Sequence, residues 1–240
     1  MKTISLESEE VRYLAERDWR LRHLMQRIGD LKYTRPESAF HNLAHSIIEQ
    51  MLSMKAGRSI EARLIEKCDG ELTPEEVNAL SLEEIKSCGM SKRKASNLQT
   101  LVSYSLENDL EALAGLPDAD VAAVLQRLPG IGKWTSDMFL LFYLERPDIL
   151  PVEDGALRQS FEWLYGVPIT SPLTQTIVCS LWRPHSSTAV RYLYRALNVG
   201  LVKTMPYAGG FGSEKMPDGV LFRQSKVSLG GVSLCAGFYG

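Results

Sequence analysis

Between Ser8 and Leu31 the apolar residues Val11, Leu14, Leu21, Leu24, Met25 and Ile28 recur at the spacing that lines one face of a helix, and Gly29 closes the pattern. One amphipathic helix is predicted there, continuous or broken once. The same period runs from Glu37 to about Lys67 through Phe40, Leu43, Ala44, Ile47, Ile48, Met51, Leu52, Ile60, Leu64 and Ile65, with Gly57 as the expected break between two helices. Thr73-Pro74-Glu75-Glu76 and Ser81-Leu82-Glu83-Glu84 read as starts of short helices, with a capping hydroxyl and acids in the first turn. A further helix follows Lys92-Arg93-Lys94 to Leu106, and another opens at Pro117-Asp118. Lys133 to Leu144 is apolar around most of its circumference, which predicts a buried helix whose N-terminal turn stays exposed. Helical spacing returns over Ala156 to Tyr165 and over Ser186 to Val202, and no stretch alternates convincingly as a strand. The prediction is an all-α protein.

From Pro206 to Gly240 the pattern fails: Gly209-Gly210, Gly212, Gly219 and Gly230-Gly231 interrupt it, and irregular structure is expected. Composition adds bounds rather than direction. With 240 residues, 45% of them hydrophobic, the chain can bury a substantial core. A formal net charge of −2 gives no bulk attraction to nucleic acid, so any DNA contact has to rest on local groups. The N-terminus alternates charge with apolar residues and has no continuous apolar run, so neither a signal peptide nor a membrane span is expected and the cytoplasm is the default location. Cys68, Cys88, Cys179 and Cys235 are scattered without a ligand spacing, and no iron–sulfur or zinc site is expected. His41 and His45 are four apart, but HNLAH lacks the glutamate of a zinc protease motif, so no metal is expected there either.

Two short stretches carry candidate chemistry. In LPGIGKWTSDM, Leu128 to Met138, a proline and two glycines separate two helical segments. Glycine lets peptide N–H groups converge where the second helix begins, and such a concavity suits an anion such as phosphate. A plain helix–helix connector uses the same residues, and the turn alone leaves both readings open. The second stretch is Leu150-Pro151-Val152-Glu153-Asp154-Gly155-Ala156, where two acids precede an apolar helix. Alone, it reads as a helix cap.

Together, LPGIG-x-x-T and the Pro-Val-x-Asp loop resemble the signature of the helix–hairpin–helix superfamily of base-excision DNA glycosylases, and most closely its DNA-3-methyladenine glycosylase branch. IIEQMLSMKAGRSI (Ile47 to Ile60), CGMSKRKASNL (Cys88 to Leu98) and WRPHSSTAVRYLYRAL (Trp182 to Leu197) are similar to further segments of that branch, in the same order. The resemblance covers roughly residues 10 to 203. It implies a two-lobed all-α body over residues 1–205, with one lobe from about 40–148, the other from the N-terminal helix and 149–205, and the active site in the cleft. Residues 206–240 would be a tail.

The family's roles carry over by matching position. Asp154 would stabilise positive charge on the deoxyribose as the base departs and help orient water, with Glu153 facing solvent. Bifunctional relatives place a lysine nucleophile where this chain has Trp134, so the resemblance implies hydrolysis without strand cleavage. Lys133 lies one residue off, about 100° around the helix, and would contact phosphate. Gly130, Ile131, Gly132, Thr135 and Gln50 would contribute to DNA binding. Met51 would fill the gap left by the flipped base, or else pack in the core. Trp134 and Tyr194 would face the base pocket or else the core, and Met138 stands where relatives often have a second aromatic. Ser186 replaces an arginine, which would cost a phosphate or aspartate contact. The implied partner is double-stranded DNA holding a damaged base, bound by a monomer without cofactor, in the cytoplasm or, in a eukaryote, the nucleus. Two alternatives stay open: a glycosylase for a mismatched pyrimidine or oxidised purine, and a DNA-binding module that has lost catalysis.

Overall fold

The computed structural model describes residues 1–204, and the glycine-rich tail expected to be irregular lies outside them. The chain opens with β1 (Lys2–Ile4), α1 (Glu9–Arg17), α2 (Trp19–Ile28) and β2 (Leu31–Tyr33). The strands pair antiparallel, with Lys2 opposite Tyr33 and Ile4 opposite Leu31. No strand was expected here; three residues are too few for an alternation to register, and their pairing depends on the helices between them bringing the ends together.

Two helices occupy the stretch read as one or one broken. Asp18 divides them. Its Oδ1 accepts from the backbone N–H of Arg20 and Leu21, capping α2. The side chain is also buried, and Oδ2 accepts from Tyr165 Oη at 2.5 Å and Trp182 Nε1 at 3.3 Å. Burial and the Asp18 charge push the Tyr165 hydroxyl well above its ordinary pKa, so it stays a donor. Removing the carboxylate would strand those donors, at about 1–3 kcal/mol for each buried group left unpaired.

Next come α3 (Ala39–Glu49) and α4 (Met54–Lys67). The break falls at Gln50–Ser53 and not at Gly57, which lies inside α4. Ser53 accounts for this, because its hydroxyl accepts from the N–H of Ala56 and starts the new helix. The short helices α5 (Pro74–Ala79) and α6 (Leu82–Ser87) begin at Thr73 and Ser81 as expected, and Ser81 and Glu84 close a reciprocal capping box. They precede α7 (Lys92–Glu107), a 3-10 turn (Leu110–Gly115), α8 (Asp118–Leu125) and α9 (Lys133–Met138), which runs on as a π-helical turn through Phe139–Tyr143. After the aspartate loop stand α10 (Gly155–Tyr165), α11 (Pro172–Ile177) with a π-helical turn over Val178–Trp182, α12 (Ser186–Asn198) and α13 (Leu201–Thr204). Gly200, with φ +79°, separates the last two, so the final helix is shorter than its period implied.

Packing sorts these elements into two groups. Helix α3 lies against α4, α7 and α9, with α5 and α6 on α7 and α8 on α9. Helix α12 lies against α1, α2 and α10. Leu43, Ala44, Ile47 and Ile48 of α3 are fully buried, as are Ala189, Val190 and Leu193 of α12. Truncating any of the larger ones to alanine would cost about 2–5 kcal/mol. The end of α9 and the facing sides of α3 and α12 enclose a cavity between the two groups.

Candidate active site

The turn before α9 is built by unequal glycines. Gly130 has φ +84°, and a Cβ there would meet Asn97 Nδ2 at 2.1 Å, so both conformation and packing require glycine. Gly132 has φ −101°, which any residue adopts, and nothing lies within 4 Å of the Cβ it lacks. A side chain at Gly132 would therefore not strain the turn: only the space in front of it, open to solvent, can matter. Ile131 is buried, so the turn can offer only its backbone to a partner at that residue.

Gln50 locks this turn to the end of α3, donating from Nε2 to Gly130 O at 2.7 Å and to Thr135 Oγ1 at 3.2 Å. Thr135 is itself buried. From α7, the Lys94 ammonium donates to the carbonyls of Ile48 and Gln50 at 2.6 and 2.5 Å, satisfying acceptors at the open end of α3. Just past these anchors Met51 has φ +58° and is 99% exposed. Core packing, the alternative reading of Met51, is thus excluded. Leu52 beside it, expected on the apolar face of a helix, is also exposed.

Lys133 donates from Nζ to Asp137 Oδ2 at 2.7 Å. Asp137 is buried, and desolvation raises its pKa even though Lys133 opposes this. The Lys133 ammonium therefore already balances a buried acid, and a phosphate would share it.

Asp154 is held by two hydrogen bonds. Its Oδ1 accepts from the Leu157 N–H at 2.7 Å, capping α10, and its Oδ2 accepts from Trp134 Nε1 at 2.8 Å. The carboxylate nonetheless lines a cavity of about 430 Å³, together with Met138, Phe142 and Tyr194. Two independent N–H donors fix its orientation without closing it off. Glu153 beside it is exposed. Trp134 is half-buried and lines the adjoining part of the cavity with Met138 and Phe142.

Phe142 and Tyr194 lie nearly parallel, with ring centroids 5.9 Å apart. The Tyr194 hydroxyl is shielded from solvent and finds no acceptor at hydrogen-bonding geometry; burial first, and the Asp154 charge second, push its pKa far up. Arg191 stands over the rings of Tyr33 and Phe142 at 4.5 and 5.0 Å. Sequence reasoning brought together Asp154, Trp134, Met138 and Tyr194 but missed Tyr33, His45, Glu49, Phe142 and Arg191. No local pattern marks these five, because they arrive from β2, α3, the π turn and α12.

Ser186 keeps part of what the missing arginine was expected to cost. Its hydroxyl donates to Asp148, and Arg183 Nε lies 3.3 Å from the other oxygen of that carboxylate. Ser186 thus has an aspartate contact of its own, to Asp148.

Comparison with known proteins identifies the family of the fold. Residues 44–184 match the family described as HhH-GPD superfamily base excision DNA repair protein. DNA-3-methyladenine glycosylase 1 of Schizosaccharomyces pombe is 26% identical over 200 residues, which span 80% of this chain and 87% of that protein. The crystal structure of a DNA-3-methyladenine glycosidase from Bacillus halodurans is 30% identical with a TM-score of 0.71, covering 85% of this chain and 95% of the other. The Schizosaccharomyces pombe 3-methyladenine DNA glycosylase Mag1, in complex with abasic DNA, matches with a TM-score of 0.72 over 80% of this chain and 97% of its own, and at 24% identity this likeness is one of fold.

Proposed function

The chain belongs to the HhH-GPD superfamily of base excision DNA repair proteins, and from that premise we propose that it is a DNA glycosylase which hydrolyses the N-glycosidic bond of alkylated purines such as 3-methyladenine. The observation that carries the mechanism is the Asp154 carboxylate, fixed by two N–H donors at the wall of an aromatic-lined cavity.

Breaking the bond between base and deoxyribose builds positive charge on the sugar. A carboxylate already oriented toward that charge stabilises the transition state without reorganising. A purine methylated on a ring nitrogen is cationic and leaves as a neutral molecule, so its departure requires no proton donor. The faces of Trp134, Phe142 and Tyr194 suit such a cation. Water, oriented by Asp154, then adds to the sugar. The tryptophan at the position of the lysine nucleophile supports hydrolysis alone, since its indole N–H is donated to Asp154 and cannot form a Schiff base.

Before this chemistry the base must leave the duplex. Met51 would occupy the gap, and the open backbone at Gly132 would receive a phosphate; the exposure of both supports this. The test is a base-release assay on DNA carrying 3-methyladenine. Asp154→Asn is expected to lower release by roughly a hundredfold or more while DNA affinity stays within a few-fold. Release near the unmutated level would overturn the role of Asp154, and a borohydride-trapped covalent adduct would overturn the purely hydrolytic reading.

A further inference from the structure

One carboxylate in the cavity wall is used by none of these steps. Glu49, the last residue of α3, lines the cavity together with Asp154, Met138, Phe142 and Tyr194. Placing an ion against such apolar neighbours is costly unless other groups compensate. Two independent features do so.

The first is a histidine bridge. His45, one turn earlier on α3, has Nε2 3.2 Å from Glu49 Oε2, while its Nδ1 lies 2.9 Å from both oxygens of Glu61 on α4. His41 Nε2 adds a contact to Glu61 at 3.1 Å. Hydrogen bonds to Glu49 and Glu61 raise the His45 pKa to about 10, so one imidazolium serves two carboxylates. The charges of Glu49, His45 and Glu61 sum to one negative, so Glu49 keeps its acceptor strength; because Lys32, Arg58, Arg191 and Arg195 also line the cavity, its pull on a cation acts through direct contact and not through the charge of the wall as a whole.

The second feature is Gly57. A Cβ at this position would lie 2.7 Å from Glu49 Cγ and 3.2 Å from its Oε1. Glycine inside a helix costs about 1 kcal/mol relative to alanine, and here it opens the seat in which the Glu49 side chain lies. The same glycine that read as a helix break thus acts as a socket. Arg58, the nearest cation along α4, is exposed and lies in high dielectric, so solvent screens its charge.

We propose that Glu49 selects the base: its carboxylate accepts a hydrogen bond from a ring or exocyclic N–H of a purine that carries positive charge, favouring cationic alkylated purines over neutral lesions of similar size. Ring methylation spreads charge onto the exocyclic nitrogen and makes its N–H a stronger donor to an anion. A neutral etheno adduct of adenine lacks both the charge and the exocyclic N–H. The inference rests on the glycosylase reading above and extends it to the residue that discriminates among substrates.

The experiment compares wild type, Glu49→Gln and Gly57→Ala in three measurements: single-turnover release of 3-methyladenine, single-turnover release of 1,N6-ethenoadenine, and affinity for a duplex with an abasic site. Glutamine keeps the shape and an acceptor but removes the charge, so release of 3-methyladenine is expected to fall roughly tenfold. Gly57→Ala, which displaces Glu49 without altering it, should do the same. Abasic-duplex affinity, referred to folded protein, should stay within twofold, because no base is present to touch Glu49. Ethenoadenine release should not fall, whether it starts measurable or at the detection limit. Undiminished 3-methyladenine release by Glu49→Gln, an equal loss on both lesions, or a loss of abasic affinity would each overturn the proposal. A wild type inactive on every alkylated duplex would overturn the glycosylase reading, and this inference with it.

Discussion

Met51 shows how a single residue can be poorly placed for its own chain. A non-glycine side chain at φ +58° costs about 1–2 kcal/mol, and at 99% exposure methionine recovers nothing by burial. The hydrogen bonds of Gln50 and Lys94 fix the residues that precede it, so the conformation is imposed by the surrounding structure. Replacing Met51 by glycine removes the strain, although a more flexible unfolded chain takes back part of the gain. Met51→Gly is therefore expected to leave thermal stability unchanged or raise it by up to about 1 kcal/mol, while base release falls roughly tenfold. Melting curves and single-turnover rates on one preparation check this. A destabilised variant with full activity would mean that Met51 packs in solution and does not enter DNA.

Among the elements, the turn between α8 and α9 divides its labour between two glycines. Gly130→Ala forces a side chain into a left-handed residue and onto Asn97, and is expected to cost about 2 kcal/mol of stability. Gly132→Ala meets nothing in the protein and should change stability by less than about 0.5 kcal/mol. If a phosphate approaches that backbone, the same methyl group should weaken binding roughly tenfold on damaged and undamaged duplex alike. Chemical denaturation and affinity titrations on several DNA sequences separate the two effects. Unchanged affinity of Gly132→Ala would reduce the turn to a connector.

For the whole molecule, the ion bridge between α3 and α4 makes stability depend on pH in a stated direction. His45 has an ordinary pKa of 6.5 and is raised to about 10 in the fold, so its contribution is complete below pH 6.5 and is lost as pH rises toward 10. For Glu61, burial opposes ionisation, but hydrogen bonds from His41 and His45 outweigh it and lower the pKa from 4.5 to about 2. Its contribution is complete above pH 4.5 and fades as pH falls toward 2. The bridge is thus strongest between about pH 4.5 and 6.5. The melting temperature should decline from pH 6.5 to 9.5, and His45→Gln should flatten that decline. An equal slope in the variant would show that the bridge contributes nothing measurable.

The sequence determined the helices and the family, because both are written in short-range terms. Apolar spacing in α3 and α12, the caps at Thr73 and Ser81, and the order of LPGIG and the Pro-Val-x-Asp loop all act over a few residues. The resemblance carried by those motifs singled out Asp154, Trp134 and Tyr194, which the fold brings to the wall of one cavity from a loop and two helices. The local pattern misplaced the boundary near Gly57 because glycine signals freedom without saying whether the backbone or a neighbour uses it; here the neighbour is Glu49. Asp18 as a helix divider, the short β pair and the Ser186–Asp148 contact were likewise illegible, since each depends on partners far along the chain. Only the tertiary structure decided which charges bridge α3 and α4 beside the cavity. Glu49, His45 and Glu61 look like ordinary polar positions on two helices, and they become one bridged anion only when packing removes solvent and brings them within 3.2 Å.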